Sequence, residues 1–150
     1  MEKLDEQLFK IVVDSTPIIS IDVLLKKDNR ILLGKRVNKP AKGYFFSIGG
    51  RVMKNETINR ALKRIVNDEL DIQLKFVPKF ISVFEHFYDN SIFHNVTTHY
   101  VGLLYEYEAD EIYDLKSFPK DQHYEYKWFS INEILQDTQV HENVKNYFRE

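Results

Sequence analysis

The sequence predicts a layered α/β (α+β) domain in which a mixed β-sheet lies between helices. Two segments carry apolar residues at helical spacing, and several others are rich in β-branched and aromatic residues, as strands are. No linker rich in Pro, Gly or Ser divides the 150 residues, and 43% of them are hydrophobic. A chain of this length and composition is expected to form one domain, residues 1–150, with a core of its own.

Four segments are predicted to form helices, and five are predicted to form strands. Residues 4–14 form a predicted amphipathic helix that Pro17 ends, and a second helix is expected at 57–70. Ser130, with Glu133 three positions later, predicts a capping box before a helix at 131–137, and a last helix ends near 148. Strands are predicted at 19–25, 31–36, 80–87, 97–107 and 126–129. Loops are predicted at 37–47 and 109–122.

Charge and residue usage exclude several classes of function. The 21 basic and 23 acidic side chains give a net charge of −2, without the basic excess typical of nucleic-acid binding. The chain has no cysteine, which excludes disulfides, thiolate zinc sites and a cysteine nucleophile. No apolar run reaches the roughly 18–20 residues that cross a bilayer, and the amino terminus lacks a signal-peptide core. We therefore expect a cytoplasmic protein with no membrane partner.

One carboxylate falls on the apolar face of the second predicted helix. The apolar stripe begins at Ile58 and continues at helical spacing to Val66. Glu69 lies within about 20° of Ile58 around the helix axis, so it is expected to face the core. A buried carboxylate is costly unless it is paired or binds a metal. The periodicity alone also allows the last turn to emerge into solvent.

The segment GGRVMKNETINRALKRIVNDELDI (49–72) resembles the Nudix box, G-x(5)-E-x(7)-R-E-U-x-E-E-x-G-U, where U is a bulky aliphatic residue. The positions that match it at the correct spacing are Gly50, Glu56, Arg64, Val66, Glu69 and Ile72, and Asp68 replaces a Glu. Ile65 occupies the place of the first Glu of the triplet, and Asp71 replaces the last Gly. Because the helix offers fewer carboxylates than in most members, the resemblance implies one metal ion rather than two or three.

Within that family, the chain is similar to the GDP-mannose mannosyl hydrolase branch over almost its whole length. The segments that carry this similarity are STPIISID (15–22), LLGKRVNKPAKGYFFSIGGRV (32–52), EHFYDN (85–90), TTHYV (97–101), DQHYEYKW (121–128) and VHENVKNYF (140–148). The branch implies a Nudix α/β/α sandwich around a mixed sheet, and a homodimer. It also implies substitution at the anomeric carbon of a nucleotide sugar, where most Nudix enzymes attack phosphorus.

The resemblance implies a metal site and a set of catalytic residues. Mg²⁺, for which Mn²⁺ can substitute, would be held by the Glu69 carboxylate, the Gly50 carbonyl and the Gln122 side chain. Arg36 and Arg51 would bind the diphosphate and stabilise GDP as it leaves. His123, on the loop before the aromatic strand, would be the general base that activates water.

Further residues are expected around the substrate. Asp22, on the strand face opposite Ile21 and Val23, would bind the sugar hydroxyls or balance charge on the reacting sugar, and an Asp paired with a lysine is the structural alternative. Tyr100 and His86 would contact the diphosphate or sugar, unless they belong to the core. The residues expected to have structural roles are His99, Glu56 and Arg64. The aromatic candidates for stacking on guanine are Phe9, Phe45, Phe46 and Tyr88.

The implied reaction is hydrolysis of GDP-mannose, or GDP-glucose, to GDP and free hexose with inversion. Two alternatives stay open at this point. One is conventional cleavage of the pyrophosphate, which gives a nucleoside monophosphate and a sugar 1-phosphate. The other is a catalytically silent Nudix domain that binds nucleotide sugars, which the replacement of a metal-binding Glu by Ile65 favours.

Overall fold

The computed structural model describes residues 3–149, which form a seven-stranded mixed sheet with helices on both faces. The helices are α1 (Glu6–Ser15), α2 (Ile58–Leu70), α3 (Ile131–Gln136) and α4 (Glu142–Lys145), and short 3-10 turns cover Leu115–Ser117 and Asn146–Phe148. The strands are β1 (Ile18–Lys27), β2 (Arg30–Arg36), β3 (Phe45–Phe46), β4 (Ile48–Arg51), β5 (Lys79–Tyr88), β6 (Thr98–Glu108) and β7 (His123–Phe129).

Strand β1 is the centre of the sheet. It pairs parallel with β6 and antiparallel with β2 and β4, and the main path through the sheet is β3-β2-β1-β6-β5. Strand β7 extends the sheet by pairing antiparallel with β2. The predicted α/β sandwich with a mixed sheet is therefore confirmed.

Side chains from successive positions of β1 enter two different cores. Ile21, Val23 and Leu25 pack against the apolar face of α2. Leu24 packs on the other side of the sheet, in a cluster that includes residues of α3 and α4. Asp22 shares the face of Leu24, as the alternation of the strand predicts.

The ends of the helices follow from local hydrogen bonds. The Thr57 side chain accepts a hydrogen bond from the Arg60 amide at 3.2 Å and caps α2, so the helix begins at Ile58 rather than 57. Helix α2 ends at Leu70, and its C-cap residue Asp71 has a left-handed φ of 55°. Glycine adopts this conformation most easily and Asp tolerates it, which accounts for an aspartate at the glycine position of the motif. The predicted capping box at Ser130 and Glu133 is present.

The structure contains strand residues at two places where the sequence predicts none. The segment 37–47 includes β3, because Phe45 and Phe46 pair with the end of β2. Strand β7 begins at His123, three residues before the predicted start, because β2 extends to Arg36 and Arg36 pairs with His123. His123 was expected on a loop, and this placement was wrong. No helix within residues 3–149 is both long enough and apolar enough to cross a membrane.

Candidate active site

A cleft with two connected pockets opens beside β1 and β4. The Asp22 pocket is lined by Asp22 together with Ser47, Phe46, His86 and Tyr88. The Glu69 pocket is lined by Glu69 together with Met53, Ile65, Asp68 and Asp121. Both pockets share one wall, made by Phe9, Arg36, Pro40, Gly49, Gly50, Arg51, Tyr100 and Gln122.

Glu69 lies in the last turn of α2, and it lines the Glu69 pocket while most of its surface is buried. The residue is 7% exposed, which decides between the two interpretations of the periodicity in favour of a buried Glu69. Burial raises the pKa of the Glu69 carboxyl to about 8, although the nearby Arg36 guanidinium and the Gly49 amide lower it. The carboxylate oxygen Oε2 has no hydrogen-bond partner within residues 3–149. A buried carboxylate with an unpaired oxygen beside a cleft is suited to binding a cation.

The surroundings of Glu69 fit one divalent ion. Gly50 and Gln122 line the same pocket, so a carbonyl and an amide oxygen are available besides the carboxylate. Asp68 is directed outward, with its side chain 62% exposed and 3.9 Å from Arg64. In the described part of the chain, no three His, Asp or Glu side chains converge as a ready-made metal cluster. A cation here therefore needs oxygen atoms from the main chain, from Gln122 and from a substrate.

The loop before α2 is held by an internal ion pair between Arg64 and Glu56. Arg64 Nε donates to Glu56 Oε2 at 2.7 Å, and a terminal nitrogen of Arg64 donates to the Arg51 carbonyl at the same distance. Glu56 Oε1 accepts from the Met53 amide at 3.0 Å. The hydrogen bonds from Arg64 lower the pKa of the Glu56 carboxyl. These contacts fix the chain next to Gly50 and Arg51.

Two arginines form the positive part of the shared wall. Arg36 Nε donates to the Pro40 carbonyl at 2.8 Å, which ties the end of β2 to the following loop. The Arg51 guanidinium lies over the Phe9 ring, 5.0 Å from its centre, in a cation–π contact that α1 provides. Both guanidinium groups border the Asp22 pocket and the Glu69 pocket. Their position is suited to a phosphate chain that spans the two pockets.

His123 lies beneath this cleft and not in it. Its side chain is fully buried, and a Cβ at Gly34 would come within 2.5 Å of its ring. Burial, with a contribution from Arg36, lowers the pKa of the His123 imidazole to about 3. Its Nδ1 is 3.6 Å from Glu69 Oε2, and neither ring nitrogen has a hydrogen-bond partner in the described residues. The structure therefore brings His123 to the Glu69 carboxylate and leaves its ring outside the lining of both pockets.

The remaining predicted residues divide between cleft and core. Asp22, His86 and Tyr100 all border the Asp22 pocket. The aromatic side chains Phe9, Phe46 and Tyr88 also line it. Phe45 was proposed for stacking and is instead a core residue, 3% exposed and edge-on to Phe129.

Sequence reasoning missed the side chains of Ser47 and Tyr147, which contact Asp22 and His86. Ser47 precedes β4 and hydrogen-bonds to Asp22, and Tyr147 reaches His86 from the last turn of the chain. Alternation along the short β4 segment gives a signal for Ser47, since Ser47 and Gly49 share a face. No spacing in the sequence relates Tyr147 to residues 61 positions earlier.

A family model for the NUDIX domain matches residues 16–150. The chain belongs to the Nudix hydrolase family. Members of this family act on nucleotide substrates and use divalent cations such as Mg²⁺ or Mn²⁺, which agrees with the Glu69 pocket.

Two curated Nudix relatives are similar to parts of the chain. The low-salt glycan biosynthesis protein Agl8 of Haloferax volcanii is 33% identical over 110 residues, which cover 73% of this chain and 70% of the relative. An ADP-ribose pyrophosphatase of Methanocaldococcus jannaschii is 40% identical over 63 residues, which cover 42% of this chain and 35% of that protein.

Solved Nudix structures share the fold at low identity. A MutT protein from Methanosarcina mazei aligns with a TM-score of 0.72 and 20% identity, covering 89% of this chain and 92% of that one. A bifunctional NMN adenylyltransferase/ADP ribose pyrophosphatase from Francisella tularensis, complexed with AMP and a manganese ion, aligns with a TM-score of 0.68 and 19% identity. The alignment covers 95% of this chain and 43% of the bifunctional protein.

Proposed function

We propose that this Nudix hydrolase hydrolyses a nucleoside-diphosphate sugar with one Mg²⁺ at Glu69. The observation that carries the proposal is the shared wall, in which Arg36 and Arg51 lie between a buried carboxylate and a polar pocket. A nucleotide sugar has the matching order of groups, because its diphosphate joins a nucleoside to a polyhydroxylated ring. The similarity to a glycan biosynthesis protein also favours a sugar substrate.

In this proposal the chain binds and orients the substrate from both pockets. Glu69, the Gly50 carbonyl and Gln122 hold the cation, which supplies charge neutralisation for the phosphate oxygens. Arg36 and Arg51 bind the diphosphate and stabilise the negative charge that grows on the leaving group. Asp22, His86 and Tyr100 border the space for the sugar.

The leading reaction is attack of water on the anomeric carbon of GDP-mannose or GDP-glucose. The new bond joins the water oxygen to that carbon, and the bond from the carbon to the phosphate oxygen breaks with inversion. GDP then leaves with both phosphates, and the proton of water passes to a base. His123 is the proposed base, and this role requires its imidazole to turn out from beneath Gly34 when substrate binds.

The burial of His123 favours a second candidate reaction. With the His123 ring buried against Gly34, its role is to contact Glu69, and water attacks phosphorus as in the pyrophosphatases of the family. The products are then GMP and a hexose 1-phosphate. A third candidate, binding without turnover, is favoured by Ile65, which occupies a carboxylate position of the motif and packs near Gly50.

The products decide between these reactions. The purified protein is incubated with GDP-mannose, GDP-glucose and ADP-ribose in ¹⁸O-labelled water, with and without Mg²⁺. GDP with label in the hexose supports attack at carbon, whereas GMP with label in a phosphate supports the pyrophosphatase reaction. Tight binding of a GDP-sugar with background turnover supports the silent domain, and the absence of both binding and turnover contradicts the proposed nucleotide-sugar substrate.

The His123→Gln variant tests the base directly. Loss of a general base is expected to slow kcat by about 100-fold or more, with little change in the affinity for GDP-mannose. His99→Gln is the matched control, because it makes the same change at a histidine of β6 that lines neither pocket. Unchanged kcat in His123→Gln contradicts a base role. The homodimer stays a prediction that sedimentation of the same protein tests.

A further inference from the structure

The Asp22 carboxylate lies in a space that two glycines keep open. Asp22 is opposite Gly49 of β4, and a Cβ on Gly49 would come within 2.5 Å of Asp22 Oδ1. On the other side, a Cβ on Gly102 of β6 would be 3.1 Å from Asp22 Oδ2. Larger residues at either position would displace the carboxylate, so the backbone on both sides is shaped around it.

Polar side chains from two other segments meet the same carboxylate. Ser47 Oγ donates to Asp22 Oδ1 at 3.3 Å. His86 lies on β5, and its Nε2 is 3.7 Å from Asp22 Oδ2. The latter distance is too long for a strong hydrogen bond, so His86 alone does not fix the carboxylate.

Tyr147 completes the arrangement from the carboxyl-terminal 3-10 turn. Its hydroxyl is 3.0 Å from His86 Nε2, and its ring packs edge-on against Phe84 at 4.9 Å. Burial and the nearby Asp22 carboxylate raise the pKa of the Tyr147 phenol well above its usual value. The phenol therefore keeps its proton where it meets His86.

The order of donors follows from the chemistry of these groups. An ionised carboxylate only accepts hydrogen bonds, whereas a phenol both donates and accepts. His86 Nε2–H can therefore donate to the Tyr147 oxygen at 3.0 Å while it also faces Asp22 Oδ2 at 3.7 Å. This arrangement requires the His86 tautomer that carries its proton on Nε2.

We propose that Tyr147 is a positioning residue that holds His86 beside Asp22 and thereby orients the Asp22 carboxylate toward the sugar of a bound nucleotide sugar. The inference rests on the proposed function for its substrate. Tyr147 does not line the cleft, so it acts through Asp22 and His86 and not by touching the sugar. In this proposal, the 3-10 turn Asn146–Phe148 contributes to substrate recognition through Tyr147.

Removal of the Tyr147 hydroxyl tests the proposal. Tyr147→Phe keeps the ring and its packing, and Tyr124→Phe is the matched control because Tyr124 is 47% exposed on β7, outside the cleft. Leaving the buried His86 nitrogen without its partner is expected to carry an effect of about 10- to 100-fold. We expect Tyr147→Phe to weaken GDP-mannose binding by about that factor in calorimetry with Mg²⁺ and to leave GDP binding unchanged.

A double mutant separates positioning from a general structural effect. If Tyr147 acts through Asp22, then Tyr147→Phe adds little to the loss caused by Asp22→Asn. Full additivity of the two losses would overturn the proposal, as would equal weakening of GDP and GDP-mannose. Thermal unfolding of each variant establishes that it is folded under the conditions of the binding assay.

Nitrogen NMR of the ligand-free protein tests the link without any substrate. The His86 imidazole is expected as the Nε2–H tautomer in the wild type and to change its ring-nitrogen shifts in Tyr147→Phe but not in Tyr124→Phe. Identical His86 spectra in all three proteins would overturn the proposal. If the wild type binds GDP-mannose no better than GDP, the sugar substrate is contradicted, while the His86 spectrum still decides whether Tyr147 is linked to His86.

Discussion

The two pockets of the cleft differ in how far their polar groups are satisfied by the chain itself. At the Asp22 pocket, Ser47 hydrogen-bonds to Asp22, and Tyr147 contacts His86. At the Glu69 pocket, Glu69 Oε2 and both nitrogens of His123 lack partners among residues 3–149. Buried polar groups without partners are rare and costly in folded proteins.

This difference separates a preorganised region from one that needs a ligand. The Asp22 pocket is built before substrate arrives, because its hydrogen bonds come from within the chain. The Glu69 pocket becomes favourable when a cation and phosphate oxygens compensate the buried carboxylate. We infer that metal and diphosphate binding complete the second region, while the first provides a fixed template for the sugar.

Glu69→Gln is expected to have the largest effect. The amide keeps the shape of the side chain but removes the negative charge that binds the cation, so Mg²⁺-dependent turnover should fall by about 100-fold or more. The control is Asp71→Asn, which removes an exposed carboxylate that lines neither pocket and leaves a residue that tolerates the left-handed conformation. Equal activity of the two variants would mean that the carboxylate in the Glu69 pocket does not bind the catalytic ion.

Arg51→Ala is expected to have the next largest effect, on the shared wall. Loss of a guanidinium that stabilises the leaving diphosphate should lower kcat/KM by about 10- to 100-fold in steady-state assays. Arg60→Ala removes an exposed arginine of α2 and is expected to leave kcat/KM unchanged. If both variants behave like the wild type, Arg51 does not contact the diphosphate.

The pair Gly49→Ala and Gly34→Ala separates the two regions by steric means. The new Cβ of the first would press on Asp22, and that of the second on His123, each at 2.5 Å. Each change should lower the free energy of unfolding by about 1–3 kcal/mol in urea titrations. Gly49→Ala should mainly raise KM for the sugar nucleotide, and Gly34→Ala should mainly change the Mg²⁺ activation constant. The same kinetic change in both variants would contradict two separate regions.

The smallest expected effect is a pH dependence of stability that arises from Glu69. In the metal-free protein, the folded state raises the pKa of the Glu69 carboxyl from 4.5 to about 8, so the folded chain binds more protons than the unfolded chain. This contribution to stability is present below pH 4.5 and is lost as the pH rises to about 8. His123 has the opposite sign, because its lowered pKa costs stability as the pH falls below 6.5.

Measurement between pH 6.5 and 8 therefore reports mainly on Glu69. Urea unfolding in the presence of a chelator should give a free energy that falls by about 1–2 kcal/mol across this window. Glu69→Gln should show a flat profile over the same window. A wild-type profile that is equally flat would contradict the raised pKa of Glu69.

Periodicity and motif spacing predicted the sheet, the helices and the elements that surround the cleft. The inward direction of Glu69 followed from its place in the apolar stripe, and the face of Asp22 followed from strand alternation. These are local regularities, which a sequence records directly.

Contacts between distant segments could not be predicted in the same way. The burial of His123 depends on the pairing of β7 with β2 and on the space that Gly34 leaves, and neither is visible in the segment DQHYEYKW. Likewise, Tyr147 reaches the Asp22 pocket only because the chain folds its last turn over β5. Such placements depend on tertiary packing, and they are where the predicted roles need the sharpest tests.

The central claim, that Glu69 holds a divalent ion against a bound diphosphate, is tested most directly by metal binding. Mn²⁺ titrations followed by electron paramagnetic resonance, with GDP present, should show one bound ion per chain for the wild type and for Asp71→Asn. In Glu69→Gln, the affinity for Mn²⁺ should fall by about 10-fold or more. Wild-type affinity for Mn²⁺ in Glu69→Gln would contradict the account.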